Sequence, residues 1–447
     1  MLNKIKLFYY NNRDIIRITR YSLISFILLI LTWTLDYKNP GLKRHLPEVL
    51  LLSSDVTSSF LSTLSGTFLT VSTFTFTTIL TVLNKYSGSF TPRIVQDFID
   101  KPNVLSLFGV FIGGFFYTVL SLFMVQNIDA EVPLISGTIA IFYAVAAMVS
   151  FILFVRRVLK DIKVSNVIEN VYTKAHGLIE EEAKRRKSSE RFISTSQSLD
   201  EVKIFANETG YFYEVNSKAL LAQLKGVKAE VVIEKKIGEY ISKGTYIARL
   251  HLLEDLEMEG QEKKDFMAKL ASGLVINVSK NDVRDYHHEM TNLIEIALMA
   301  LSPGVNDPNT AIMVIGKISN LLGKLFSTNN FYVVLDENEK TKIIYNGYTV
   351  REELYNSFAQ IVHYGKEDPM VAEAVLKGLY LIYMLADESV KGQIKEYLDY
   401  VYEICLDAMD TKMNRDQLKA IHEDFHQNRD DQSDAEVMDA EVMKEGS

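Results

Sequence analysis

Apolar positions are not spread evenly along this chain. They gather in four long runs before residue 156, and beyond it they recur at the spacing of amphipathic helices and short strands. The runs are YSLISFILLILTWTL (21–35), VTSSFLSTLSGTFLTVSTFTFTTILTVL (56–83), VLSLFGVFIGGFFYTVLSLFMV (104–125) and PLISGTIAIFYAVAAMVSFILFV (133–155). A bilayer core takes about 20 residues of helix, so residues 1–155 predict a transmembrane domain of four helices. The first run is the shortest, and Ile15, Ile16 and Ile18 lengthen its apolar face. No small-residue cleavage site follows it, which fits an anchor rather than a removed signal peptide.

Past the fourth run the pattern changes several times. Val164, Val167, Ile168, Val171, Ala175, Leu178 and Ile179 recur at helical spacing, predicting a juxtamembrane amphipathic helix and linker over 156–200. That helix either packs on its own soluble region or pairs with a second subunit. Residues 201–255 are rich in Val, Ile and Tyr with glycines at turn-like points, the pattern of a small β-domain. IGEYISKGTYIARL resembles the half-barrel repeats of biotinyl and lipoyl carriers, but the carrier's modified-lysine turn is missing. Residues 256–425 predict a helical domain, in which 331–350 looks like a β-hairpin. The end, 426–447, repeats DAEVM and is expected to be a disordered acidic tail. The fold class expected is an α-helical integral membrane protein with a cytoplasmic α+β region, a small β-barrel-like domain followed by helices.

Charge sets the orientation. Lys4, Lys6, Arg13, Arg17 and Arg20 precede the first run, and Arg156, Arg157, Lys160 and Lys163 follow the fourth. The loop at 126–132 carries Asp129 and Glu131 and no basic residue. The positive-inside rule then puts both termini in the cytoplasm, although Lys38, Lys43 and Arg44 in the outer loop 36–55 run against it. The net charge of −9 argues against a nucleic-acid partner. The only cysteine, Cys405, cannot form an intrachain disulfide, which suits a reducing compartment.

The second run is half Ser and Thr. Ser58, Ser62, Gly66 and Thr70 form a stripe of small residues at i, i+4 spacing. Such a stripe suits close helix packing, with hydroxyls bonded across helices or to their own backbone. It also suits a hydroxyl-lined path through an oligomer. Residues 56–83, 104–125 and 133–155 contain no Asp, Glu, Lys, Arg or His. Coupled transporters usually carry such residues inside the membrane, so coupled transport is disfavoured.

The stretch SPGVNDPNT (302–310) interrupts two apolar helices with two prolines, a glycine and an Asn-Asp pair. Ser302 and Pro303 close one helix, and Gly304 suits the left-handed position past its end. Asp307 is a favoured N-cap with Pro308 at the first helical position. Asn306 is the residue this punctuation does not explain, and the turn is a candidate contact with a domain, subunit or ligand. Upstream, His288, Asn292 and Glu295 share one helix face and form a candidate polar site. His287 and His288 are adjacent, so their rings point apart on a helix and do not suit one metal. No catalytic residue, metal or cofactor is expected.

ALMALSPGVNDPNTA (297–311) resembles the signature of a bacterial family of predicted membrane proteins, the domain of unknown function 2254 family. There the run reads A-L-R-A-L-S-P-G-x-N-D-P-x-T-A after a Q-L-V-D-I-A-like helix. Here that helix is NLIEIA (292–297), with Glu295 in the acidic place, and Met299 replaces the arginine. If that arginine pairs with the acidic residue, Glu295 lacks its usual partner here. The resemblance implies a multi-pass protein of the bacterial inner membrane but brings no established reaction. The function expected is an oligomeric channel-like protein regulated by its cytoplasmic domains, with the lipid bilayer and further copies of itself as partners. The alternatives are a membrane-anchored sensor or scaffold that binds an unknown cytoplasmic ligand or protein, and a membrane-bound enzyme using His288, Glu295 or Asp307.

Overall fold

The computed structural model describes residues 13–38, 46–89, 102–126, 128–129, 131–161, 163–189, 200–254, 260–277, 285–328, 332–337 and 340–427. Lys4, Lys6, Lys43, Arg44, the linker at 190–199 and the acidic tail from 428 lie outside the described residues. The chain divides into two compact units, Met1–Val167 and Ile168–Ser447.

The first unit is built from α1 (Arg13–Trp33), α2 (Ser54–Ser89), α3 (Pro102–Val125) and α4 (Ser136–Asp161). Among the described residues, three stretches are long and apolar enough to cross a membrane: Ser54–Asn84, Phe108–Val125 and Ser136–Lys160. The first predicted run also folds as a helix, of 21 residues, but it begins among Arg13, Arg17 and Arg20. Large apolar side chains point outward from all four, among them Ile27, Phe74, Phe123, Phe142 and Ile152. Water would not support such a surface, and lipid would.

Small residues let these helices approach. A Cβ on Gly114 of α3 would stand 2.8 Å from the Phe68 ring of α2 and 2.9 Å from the Tyr143 ring of α4. On Gly113 it would meet Ser25 of α1 and the Tyr143 hydroxyl. Tyr143 fills this junction, donating to Val110 O at 2.8 Å while its ring meets Phe68 edge-on. Beyond α1, Asp36 accepts from Ile135 N at 3.0 Å and Ser136 N at 3.2 Å. A carboxylate there satisfies donors at the start of α4 and suits its positive end. Next to it, β1 (Leu52–Ser53) pairs with β2 (Pro133–Leu134). The chain before α2 and the chain before α4 therefore sit at the same end of this unit.

The second unit starts with the amphipathic helix α5 (Val164–Ser189). Its stripe of Ile168, Val171, Ala175, Ile179 and Ala183 is buried. Tyr172 of this helix donates to Asn320 Oδ1 at 2.8 Å, and Lys317 pairs with Glu169 at 2.6 Å. These bonds tie α5 to residues of α9 within the second unit.

Next come β3 (Asp200–Phe205), β4 (Gly210–Val215), α6 (Ser217–Gln223), β5 (Ala229–Ile233), β6 (Tyr240–Ile241), β7 (Tyr246–Leu252), α7 (Gly260–Ser272) and β8 (Leu274–Asn277). Then follow α8 (Tyr286–Leu301), α9 (Pro308–Leu325), β9 (Tyr332–Glu337), β10 (Thr341–Asn346), α10 (Val350–Gly365), α11 (Pro369–Leu385), α12 (Glu388–Ala408) and α13 (412–427). The expected barrel does not form. The strands make an open five-stranded sheet, β3-β7-β5-β10-β9, and a three-stranded sheet, β6-β4-β8. The hairpin forms as expected, but β10 pairs in parallel with β5, in register from Thr341↔Ala229 to Tyr345↔Ile233. One core joins both sheets through Phe212, Val231, Leu250, Leu274 and Ile343. The helices form a second layer, where α9 and α11 close on Gly378 against Ser319 and Ile315.

Gly114→Leu would drive a side chain into Phe68 and Tyr143, and overpacking of this kind costs about 1–3 kcal/mol. Gly66→Leu should cost the monomer little, because a Cβ there meets nothing within 4 Å. Thermal unfolding of the detergent-purified chain is expected to show a clear drop for the first variant and none for the second.

Candidate functional site

The conspicuous turn is first of all helix punctuation. Ser302 ends α8, and its carbonyl accepts from Val305 N at 3.0 Å and Asn306 N at 2.9 Å. Asp307 caps α9, accepting from Thr310 N at 3.2 Å and Thr310 Oγ1 at 2.6 Å. Pro308 occupies the first turn, as read from the sequence. The left-handed residue, however, is Asn306, with φ 48°, and not Gly304. Asparagine tolerates that region among L-residues, which accounts for the residue that punctuation alone left over. Pro303, Gly304, Val305 and Asn306 are exposed at this tip.

All three residues of the sequence-derived trio lie on α8. Asn292 is fully buried and donates to Glu289 Oε2 at 3.3 Å, and Glu289 stands 3.7 Å from Lys174 Nζ of α5. His288 belongs to no trio of His, Cys, Asp or Glu close enough to share an ion among the described residues. Glu295 is not left without a partner despite Met299 in the arginine's place.

What the fold assembles instead lies one residue away. Tyr286 and His287 open α8, Glu353 sits in the first turns of α10, and Arg186 ends α5. Glu353 is 1% exposed and Arg186 is also 1% exposed. Arg186 Nη2 donates to the Tyr286 hydroxyl at 3.0 Å, and that hydroxyl donates to Glu353 Oε1 at 2.5 Å. His287 Nε2 lies 3.0 Å and 3.1 Å from the two Glu353 oxygens, and its Nδ1 lies 3.0 Å from Asp285 Oδ2. Glu182 Oε1 takes Arg186 Nε at 3.0 Å. The His287 ring packs 3.9 Å from Tyr286 and 4.3 Å from Tyr348. Lys236, which donates to Asn346 O at 2.8 Å, stands over the Tyr348 ring at 5.1 Å. Helix ends help: carboxylates gather at the starts of α8 and α10, and the arginine at the end of α5.

Charge decides the chemistry of this cluster. Burial opposes a charged His287, but the Glu353 and Asp285 carboxylates outweigh it and push its pKa up to about 10. Burial likewise opposes a charged Glu353, and His287 with Arg186 holds its carboxyl below the usual range. Tyr286 is held in its neutral form, first by burial and then by the Glu353 charge. A doubly protonated imidazole donates from both nitrogens and has no lone pair left, so His287 cannot act as a general base near neutral pH. The arrangement locks helices together. The signal for it was legible as charge on an apolar stripe: Glu353 shares a buried face with Val350, Leu354 and Ser357.

In the first unit, Ser62, Gly66 and Thr70 face outward and Ser58 is half-buried. Thr63, Thr67, Thr70, Thr73 and Thr77 each donate to the carbonyl one turn earlier, at 2.9–3.0 Å. The hydroxyl protons are therefore satisfied within α2. Within this unit, close helix approach is seen at Gly113 and Gly114.

The sequence model of a family described as Predicted membrane protein (DUF2254) matches residues 13–438. An uncharacterised protein of Mycobacterium bovis and one of Mycobacterium tuberculosis are similar to the chain, each 23% identical over 320 residues. The match covers 70% of this chain and 61% of each relative, so the chain spans less than two thirds of their length. No solved structure matches.

Removing the negative charge alone should be costly. Glu353→Gln would leave Arg186 and His287 buried without their shared anion, a loss of about 3–5 kcal/mol, read as a lowered unfolding midpoint in denaturant. The pH dependence has a defined sign. An unfolded histidine loses its proton near about pH 6.5, whereas His287 keeps its own to about 10. The folded state then binds more protons between those values, so this contribution is complete below about pH 6.5 and disappears toward pH 10. Glu353 acts oppositely, losing its contribution in acid. The stability difference between the wild type and His287→Asn is expected to shrink steadily between pH 7 and 10.

Proposed function

Because the chain belongs to the family of predicted membrane proteins DUF2254, we propose that it is a multi-pass protein of the bacterial inner membrane that acts as a channel-like oligomer. Four helices cross, both termini lie in the cytoplasm, and the second unit regulates the path. The observation that carries this is the outward stripe of α2. Ser62, Gly66 and Thr70 face away from the helices of their own chain, and Gly66 has open space beside it. A row of small residues and hydroxyls is a poor lipid surface. It is a good surface for a second copy or a wetted path. The lack of ionisable residues in the three apolar runs favours passive conduction over coupled transport.

Four crossings rather than three are favoured by α1. Its 21 residues reach about 30 Å, the thickness of a bilayer core. Just past its C-terminal end, Asp36 bonds to the start of α4. The exit of α1 and the entry of α4 therefore share one end, as crossings by both α2 and α3 between them require.

A second reading, a membrane-anchored sensor or scaffold, is favoured by the buried cluster at Glu353. It makes the second unit self-supporting, with α5 packed on its own domain. In that case the soluble part alone, 163–427, would bind its ligand or partner.

Recording from purified protein in a planar bilayer distinguishes the two. The channel reading expects discrete conductance under voltage or tension, abolished by Gly66→Leu or Ser62→Leu in protein that still folds. Silence of the wild type in both conditions rejects it.

A further inference from the structure

A group of side chains far from the signature turn has the geometry of a metal centre. Asp399 lies on α12, and His422 and His426 lie one turn apart on α13. His422 Nε2 is 2.8 Å from Asp399 Oδ1, His426 Nε2 is 3.4 Å from the same oxygen, and the two Nε2 atoms are 3.3 Å apart. Zinc binds imidazole nitrogen and carboxylate oxygen at about 2.0–2.1 Å, and tetrahedral angles then separate the donor atoms by roughly 3.3–3.4 Å. Two of the three edges already match. The third is short by about half an ångström, within reach of a half-exposed aspartate side chain moving off its hydrogen bond.

We propose that Asp399, His422 and His426 bind one divalent transition-metal ion of the zinc class, with a fourth position left to water. Histidines at i, i+4 present both rings to one side of a helix. Two imidazoles and one carboxylate suit zinc, nickel or cobalt, whereas magnesium and calcium prefer oxygen throughout. The ligands stand on rigid supports. The His422 ring stacks on Tyr402 of α12 at 3.9 Å with an interplanar angle of 8°. Between the two histidines, Phe425 is buried against Tyr380 and Tyr383 of α11, at 5.2 and 5.0 Å. Leu418 is buried earlier on α13. The ring of His426 is 32% exposed, so an ion can enter from solvent. A hydrogen-bond contact between His422 Nε2 and Asp399 Oδ1 already brings two of the three side chains together.

The test uses the full chain, purified in detergent without a histidine tag, stripped with chelator and titrated at pH 7.5 with zinc and, separately, cobalt. Calorimetry and elemental analysis are expected to give one ion per chain, with the absorption of tetrahedral cobalt. Affinity should fall by roughly tenfold or more in His426→Ala and His422→Ala, since a direct ligand matters at least as much as an outer-shell partner. It should be unchanged in His363→Ala. Binding should weaken as the pH falls, because the ligands must be deprotonated. If His422→Ala does not fold, His426→Ala carries the test, because its ring is the more exposed. Failure of the wild type to bind, or binding unchanged in His426→Ala, overturns the proposal. Neither outcome depends on conduction.

Discussion

A single buried carboxylate, Glu353, holds the second unit in its arrangement. Taking an ion out of water costs several kcal/mol, and that cost is offset only by close, well-oriented partners. Glu353 has them in the Tyr286 hydroxyl and the His287 ring, with Arg186 joined through Tyr286. Glu353 in the first turn of α10 and Arg186 in the last turn of α5 sit at helix ends that favour their charges, whereas His287, at the start of α8, is kept charged by Glu353 and Asp285 against its helix end. No member can move without leaving another charge buried and uncompensated. The cluster therefore fixes where α5 ends, where α8 begins and how α10 meets both. Tyr348 and Lys236 carry the same constraint on to the β9–β10 hairpin and the loop after β5.

The first unit obeys a different rule. In lipid, apolar contact gives no advantage to one helix neighbour over another, so close approach and hydrogen bonds select the packing. Gly113 and Gly114 provide the approach, and Tyr143 and Asp36 provide the bonds. The hydroxyl-rich face of α2 takes no part in this. Ser62, Gly66 and Thr70 lie on the outside of the helix group.

The sequence was legible where structure is local. Long apolar runs foretold α2, α3 and α4, helical periodicity foretold α5 and the later helices, and Asp307 with Pro308 foretold the start of α9. Long-range pairing was not legible. The partner of β5 is β10, more than a hundred residues onward, and nothing in the alternation of either strand names the other. A small barrel-like domain was expected from the strand–glycine–strand repeat in IGEYISKGTYIARL, where a five-stranded and a three-stranded sheet formed. At the turn, glycine was given the left-handed position because it is the residue that most easily adopts it, yet Asn306 holds it. His288 was chosen for the face it shares with Asn292 and Glu295, and nothing in that pattern pointed to its neighbour His287, which meets Glu353. Arg186 and Glu353 were readable as charges on apolar stripes. The spacing of His422 and His426 was readable too, but Asp399 joins them only through the packing of α12 on α13.

The claim on which this account rests most heavily is that His287 is charged within the buried cluster at neutral pH. Nitrogen NMR of the histidine-labelled full chain, with His287 assigned by its absence in His287→Asn, measures this directly. The account predicts a doubly protonated ring at pH 7.5 that releases its proton only as the pH approaches about 10. A neutral ring at pH 7.5, titrating near the ordinary histidine value, would contradict it.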